Sequence, residues 1–204
     1  MRWLQVLAAA AAAGALASAA QATQTITFDD LPDTVIIGGP IPTTYAGLQW
    51  DNFFLDSGPF SCCGFQSGVV SGDFAASNGF GLPATIRSSR PFGISDFYIT
   101  GGFDEFEVEF DAYLGGVLLG GGGALVEANA TTHVVFPDHF LPRVDELQFI
   151  SSDDGLGFSG DRLDFVLDNL TITSVPEPAA WALLIVGFGA AGARLRARRR
   201  PVPA

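Results

Sequence analysis

The chain has 204 residues, of which 48% are hydrophobic and 16% charged, with 18 Phe, two Cys and a formal net charge of −12. Sixteen Asp and five Glu face four Arg (Arg87, Arg90, Arg143 and Arg162) between Thr23 and Val175, and there is no Lys. A field of that sign repels nucleic acid and anionic lipid, which excludes an electrostatic nucleic-acid binder and favours divalent cations or neutral partners.

Residues 1–22 begin Met1-Arg2-Trp3, continue as an Ala/Leu-rich run to about Leu16, and end in small residues around Ala20-Gln21-Ala22. That order of charge, short apolar core and small-residue site is the pattern of a secretory signal peptide, with cleavage expected before Thr23 or after Ala19. Removal of both ends leaves about 153 residues, enough for one domain with a sizeable core.

From Thr23 to Ser174 no long 3.6-residue apolar pattern occurs, whereas short apolar or alternating runs recur between Gly, Pro, Asn and Asp clusters. The expected strands are Gln24–Phe28, Gly47–Phe54, Gly68–Ser71, Gly93–Thr100, Phe103–Leu114, Val117–Leu119, Thr131–Phe136, Val144–Ser151 and Leu163–Thr173. The clearest is Phe103–Leu114, where Phe106, Val108, Phe110 and Ala112 alternate with Glu105, Glu107, Glu109 and Asp111, one face buried and the other acidic and solvated. In the last strand Leu163, Phe165 and Leu167 share one parity and Leu170 and Ile172 the other. Either a β-bulge at Asp168-Asn169 or burial on both faces explains that change. The fold class expected is all-β, a jelly-roll-like β-sandwich over residues 23–174.

The two cysteines, Cys62 and Cys63, are adjacent. A vicinal disulfide would stiffen one turn without cross-linking the fold, and reduced thiols or intermolecular pairing are the alternatives. Without a nearby histidine they fall short of the four ligands of a structural zinc site.

After the domain, Pro176-Glu177-Pro178 precedes an apolar run from Ala179 to Ala193, followed by Arg194, Arg196, Arg198, Arg199 and Arg200 and a short tail, 201–204. The prolines keep the tripeptide extended and accessible. The 15-residue run is a marginal transmembrane helix against the roughly 20 residues that span hydrocarbon, and the arginines are expected to stay on the cytoplasmic side. The segment Val175–Arg200, with Trp181-Ala182 shortly after the tripeptide and Gly187-Phe188-Gly189 before the basic tail, closely resembles the PEP-CTERM sorting signal, also called the ice-binding protein C-terminal domain. That resemblance implies export and recognition of Pro176, Glu177, Pro178 and Trp181 by exosortase, a membrane-embedded protease of bacteria that make exopolysaccharide. A simple anchor that is never processed is the alternative. The domain itself resembles the sandwich domains found ahead of this signal through Phe28-Asp29-Asp30-Leu31-Pro32, Tyr45–Phe53, Gly68–Gly72, Ile99–Phe103 and Phe165–Ile172, and resembles jelly-roll carbohydrate-binding modules in architecture.

Three candidate chemistries follow. Asp29 or Asp30 with Asp168 and a carbonyl could clamp a structural Ca2+ between the first and last strands, and Asp153–Asp161 is a second oxygen-rich loop without EF-hand spacing. Trp50, Tyr45, Tyr98 and Tyr113 could stack on sugar rings while Asp and Asn take the hydroxyls, or be core or strand aromatics, since aromatics are also what strands prefer. Glu105, Glu107 and Glu109 could supply the carboxylate pair of a polysaccharide-modifying hydrolase, although carboxylates along one strand face are also what a solvated edge looks like. The expected function is noncatalytic: an exported envelope or matrix protein that interacts with exopolysaccharide.

Overall fold

Short alternating runs divided by turn residues become eleven strands among the described residues of a computed structural model, which describes residues 22–137, 143–152 and 160–174 together with positions 185, 187–189, 192 and 196. The strands are β1 Ala22–Ile26, β2 Thr44–Tyr45, β3 Leu48–Asp51, β4 Phe53–Ser57, β5 Phe74–Asn78, β6 Ala84–Gly101, β7 Phe106–Leu114, β8 Val117–Val126, β9 Thr132–Val135, β10 Val144–Ser152 and β11 Phe165–Ser174, with a 3-10 turn, Gly58–Phe60, and an α-helical turn, α1 Cys63–Ser67, between β4 and β5. Thr23–Ser174 is a compact unit in its own right.

One strand organises the sandwich. The 18-residue β6 pairs through Ala84–Arg87 with β10 on one side and β3 on the other, and through Phe92–Gly101 with β11 and β9. Between these halves Arg87 faces Glu146 and Phe92 faces Val144, so Ser88, Ser89, Arg90 and Pro91 bulge out of the β10 ladder. Proline lacks an N–H and sits where no ladder bond is needed, and the extra residues let the chain leave one layer for the other. The first layer runs β2-β3-β6-β10-β7-β8, and the second runs β4-β5-β11-β6-β9 with β1 added to β11.

Phenylalanines close the gap between the layers. Phe97 of the second layer meets Phe110 and Phe149 of the first edge-on at 5.6 and 5.4 Å, and Phe53 meets Phe149 at 6.2 Å. Phe28, Phe53, Phe97, Phe149 and Phe165 are fully buried. Each such side chain contributes on the order of 1.5–3 kcal/mol on leaving water, and edge-to-face pairs add somewhat more.

The strand expected over Phe103–Leu114 forms as β7 from Phe106, with Phe106, Val108, Phe110 and Ala112 inward and Glu107, Glu109 and Asp111 outward. Two expected strands are corrected. Gly47–Phe54 breaks at Asn52 (φ +59°), which shifts burial from Leu48 and Trp50 to Phe53 and Leu55. Gly68–Ser71 is no strand but a loop across the outer face of the second layer: the Gly68 amide closes the helical turn on Gly64, and the Val70 and Ser71 amides bond to a side chain instead of to a neighbouring strand. Both explanations for β11 hold together: Phe165, Val166, Leu167 and Asp168 are all buried, and the register shifts between Asp168 and Thr171 with Asn169 at φ +51°.

Candidate functional site

Asp168 closes the second layer from outside. On the far side of β11 from Leu167 it is fully buried beneath the 68–73 loop, where Oδ2 accepts the Val70 and Ser71 amides at 2.7 and 3.0 Å and Oδ1 accepts the Asn169 amide at 2.7 Å. The Ser71 hydroxyl lies 2.7 Å from Asn169 Oδ1. Asp29, just past β1, takes the other end of the same loop, accepting the Asp73 and Phe74 amides on Oδ1 at 2.8 and 3.2 Å. Gly72, at φ +63°, lies so close to that carboxylate that a Cβ would collide with it. Burial pushes the Asp168 carboxyl up to about 6, the nearby Asp29 charge pushes the same way, and the three amides pull against both.

Asp29 and Asp168 thus bond different stretches of one loop, Asp73–Phe74 and Val70–Ser71, while Asp30 turns away to accept the Tyr45 hydroxyl. The groups that Asp29 and Asp168 hold are backbone N–H donors. Among the described residues no group of three or more His, Cys, Asp or Glu side chains is placed to hold a metal ion. Residues 153–159 of the second oxygen-rich loop lie outside the described residues.

The four aromatic candidates do not converge. Trp50 is 4% exposed, edge-on to Phe28 and Phe53 at 5.4 and 5.1 Å, with its indole N–H given to the Tyr45 carbonyl at 3.0 Å, so it is a core residue with no face for a sugar. Tyr45 packs beside it, 6.0 Å away, and is pinned by Asp30; burial and that carboxylate raise its pKa. Tyr98 lies on the outer face of the second layer, stacked flat on His133 at 4.1 Å, with His133 Nε2 3.2 Å from Asp96. Tyr113 lies on the outer face of the first layer, its hydroxyl 3.3 Å from Asp111 Oδ2.

The surroundings of Tyr113 follow from strand register. Directly opposite residues on antiparallel strands point to the same face, so one row across the first layer reads Gln49, Arg87, Glu146, Tyr113, Leu118. The next reads Asp51, Thr85, Gln148, Asp111, Gly121. Arg87 gives Nη2 and Nε to Glu146 at 3.1 Å each and reaches Asp51 at 3.7 Å, which ties the guanidinium to carboxylates on both neighbouring strands. Gly121 and Gly123 of β8 carry no side chain, and the Asp111 and Glu107 carboxylates lean over them into the space a Cβ would take. The outer face is thus a shallow polar field with one ring at Tyr113, an exposed Leu118 beside it and hydrogen-bonding groups on both other sides. Glu107 and Glu109 point outward on β7, and Glu105 precedes the strand.

Periodicity shows the acidic face of β7 but not this row, because Arg87, Glu146 and Tyr113 lie far apart in the chain and only the strand order joins them. The run Gly120–Gly123 is the signal that was available, since four glycines inside a strand mark a place where something approaches closely.

The fold and this face define an all-β sandwich with a polar sheet surface, and comparison with known proteins adds the destination. Residues 174–200 match the PEP-CTERM protein-sorting motif, which implies an exported protein sorted by an exosortase. Pro176, Glu177, Pro178 and Trp181 lie outside the described residues, as do residues 1–21 and most of 179–193. No helix among the described residues is long and apolar enough to cross a membrane. The domain is similar to a DUF4465 family protein from Bacteroides ovatus (TM-score 0.52, 13% identity, 76% of this chain and 100% of that one). Lower similarity links it to the CBM22-1 xylan-binding domain of Paenibacillus barcinonensis Xyn10C (TM-score 0.44, 12% identity, 79% and 99%) and to CBM51 of Clostridium perfringens GH95, solved with methyl-galactose (TM-score 0.37, 12% identity, 74% and 100%). No curated protein matches the chain.

Proposed function

We propose that the sandwich is a noncatalytic glycan-binding domain of an exosortase-sorted envelope or matrix protein, and that it meets exopolysaccharide with the outer face of the first layer. The observation that carries this reading is the row Arg87, Glu146, Tyr113, Leu118, which sets a ring and an exposed aliphatic side chain beside fixed donors and acceptors. A sugar presents the matching surface: C–H groups on one side for Tyr113, and hydroxyls at its rim for Asp111, Gln148 and Arg87. The acidic field disfavours anionic polymers, so the ligand class is a neutral polysaccharide.

Incubation of the purified protein with the host's own exopolysaccharide tests the reading, with free and bound polymer separated and reducing ends assayed. Binding without new reducing ends is the expected result. New reducing ends would favour the second reading, a hydrolase working through the outward carboxylates Glu107 and Glu109 on the same face. A structural Ca2+ at Asp29 and Asp168 is a separate proposal, motivated by two carboxylates that bond the same loop. It predicts that EDTA lowers the unfolding temperature; no shift leaves the amide bonds as the whole of their role.

A further inference from the structure

Cys62 and Cys63 are not used by the glycan-binding face. Both are exposed, and their sulfurs lie 2.9 Å apart. Adjacent cysteines in extended chain point to opposite sides, so this meeting requires an unusual backbone, and Cys63 supplies it by standing in the left-handed region at φ +60°. A non-glycine residue holds that conformation at a cost, which the surrounding structure must offset.

The structure supplies the restraint in the residues that follow the pair. Gly64 donates its amide to the Gly102 carbonyl at 2.9 Å, and its Cα is pressed so closely on Gly101 that a Cβ has no room. One turn further on, the Ser67 hydroxyl donates to the Ala128 carbonyl at 2.7 Å while the Ser67 carbonyl accepts the Thr131 hydroxyl at 2.8 Å. The thiol pair therefore sits on a short segment held to the end of the second layer by one backbone bond and two hydroxyl bonds, with both cysteines exposed.

We propose that Cys62 and Cys63 are a reversible dithiol/disulfide site, oxidised within one chain by a small or protein disulfide in the oxidising compartment to which the sorting motif directs the protein. In the first step the Cys62 thiolate attacks the oxidant R–S–S–R and expels R–S⁻. In the second, Cys63 loses its proton and attacks the Cys62 sulfur, expelling the second R–S⁻. Two thiols become one S–S bond, and the two electrons and two protons leave as two R–SH. The geometry sets the order: the Cys63 thiol donates its proton toward Cys62, and that hydrogen bond raises its pKa and leaves Cys62 as the attacking sulfur. Closure within the chain outruns cross-linking, because the second thiol is already in contact and no second molecule matches that effective concentration. Neighbouring Cα atoms are about 3.8 Å apart, below the usual separation for a disulfide. The product is therefore a strained bond that thiols reduce readily, a labile site and not a structural cross-link.

The test treats the full chain with oxidised glutathione, quenches in acid, alkylates, and reads the intact mass before and after dithiothreitol. The proposal predicts a monomer lighter by two hydrogens, with neither thiol labelled and no glutathione retained, and full labelling again after reduction. Cys63→Ser should keep one glutathione on Cys62, since no resolving thiol remains, while unfolding at the same denaturant concentration as the parent. A glutathione adduct that persists on the parent chain, a disulfide-linked dimer, or two thiols that stay fully labelled would each overturn it.

Discussion

Asp168 Oδ2 accepts the amide of Val70 at 2.7 Å, joining the last strand to a loop 98 residues earlier in the chain. The bond stands in for a strand ladder: Val70 and Ser71 lie across the sheet without pairing to it, and one carboxylate satisfies both N–H groups. Asp168→Asn should destabilise the fold by about 1–3 kcal/mol, since an amide side chain cannot accept at both ends and leaves a buried N–H unpaired. Denaturant midpoints measure the loss, and amide hydrogen exchange at Val70 and Ser71 should quicken before the global unfolding limit is reached.

Two buried carboxyls give stability an unusual pH profile. Burial pushes Asp56 up to about 6 against a Ser77 hydrogen bond, and one of its oxygens has no partner; Asp168 is likewise pushed up to about 6. A carboxyl whose folded pKa lies above its unfolded value of about 3.9 binds protons more tightly when folded. Its contribution is therefore fully present below about pH 4 and lost as the pH rises through 6. Unfolding temperatures should rise as the pH falls from 7.5 to about 4.5, in the direction that reduced self-repulsion also favours. Asp56→Asn should flatten that slope in part, which separates the buried carboxyl from the general charge effect.

Asn52 should matter more than its place in a two-strand connection suggests. Its side-chain amide lies 3.1–3.2 Å from the carbonyls of Gly79, Leu82 and Pro83, and its backbone is left-handed at φ +59°. Asn52→Ala loses both advantages, whereas Asn52→Gly keeps the backbone freedom and loses only the hydrogen bonds. We expect a loss of about 1–3 kcal/mol for alanine and a smaller one for glycine, read from chemical denaturation. Equal losses would show that the hydrogen bonds alone carry the effect.

What could be read in advance divides by range along the chain. The β7 alternation from Phe106 to Ala112 is a local pattern with one burial direction, and it survives folding unchanged. The bend in β6 is not local: Arg87, Ser88, Ser89 and Arg90 look like a loop, and only β10 and β3 on either side of Arg87 make that half a strand. Gly68–Ser71 has the composition of a strand, but Asp168 competes for its amides and wins. Trp50 carried the opposite lesson, since the residue type that best stacks on a sugar is also the one that best fills a core. Asp29 and Asp168 stand out in the sequence as acidic residues near the two ends of the domain, while the amide donors they hold depend on a loop whose path no periodicity reveals.

The sorting motif predicts a processing step. In cells with the exosortase the protein should be shorter and leave the membrane fraction, and in cells without it the longer form should stay with the membrane. Immunoblots of fractionated cells read both, and identical size and location in the two strains would favour the unprocessed anchor.

The central claim is that the outer face of the first layer binds a neutral polysaccharide around Tyr113, and isothermal titration of the host exopolysaccharide into parent, Tyr113→Ala and Tyr98→Ala proteins tests it most directly. Loss of a stacking ring should weaken binding by about two- to tenfold at Tyr113, on the scale of roughly 0.5–1.5 kcal/mol for an aromatic contact, and leave Tyr98→Ala at parent affinity. Equal affinity of the parent and Tyr113→Ala proteins, or a loss confined to Tyr98→Ala, would contradict it.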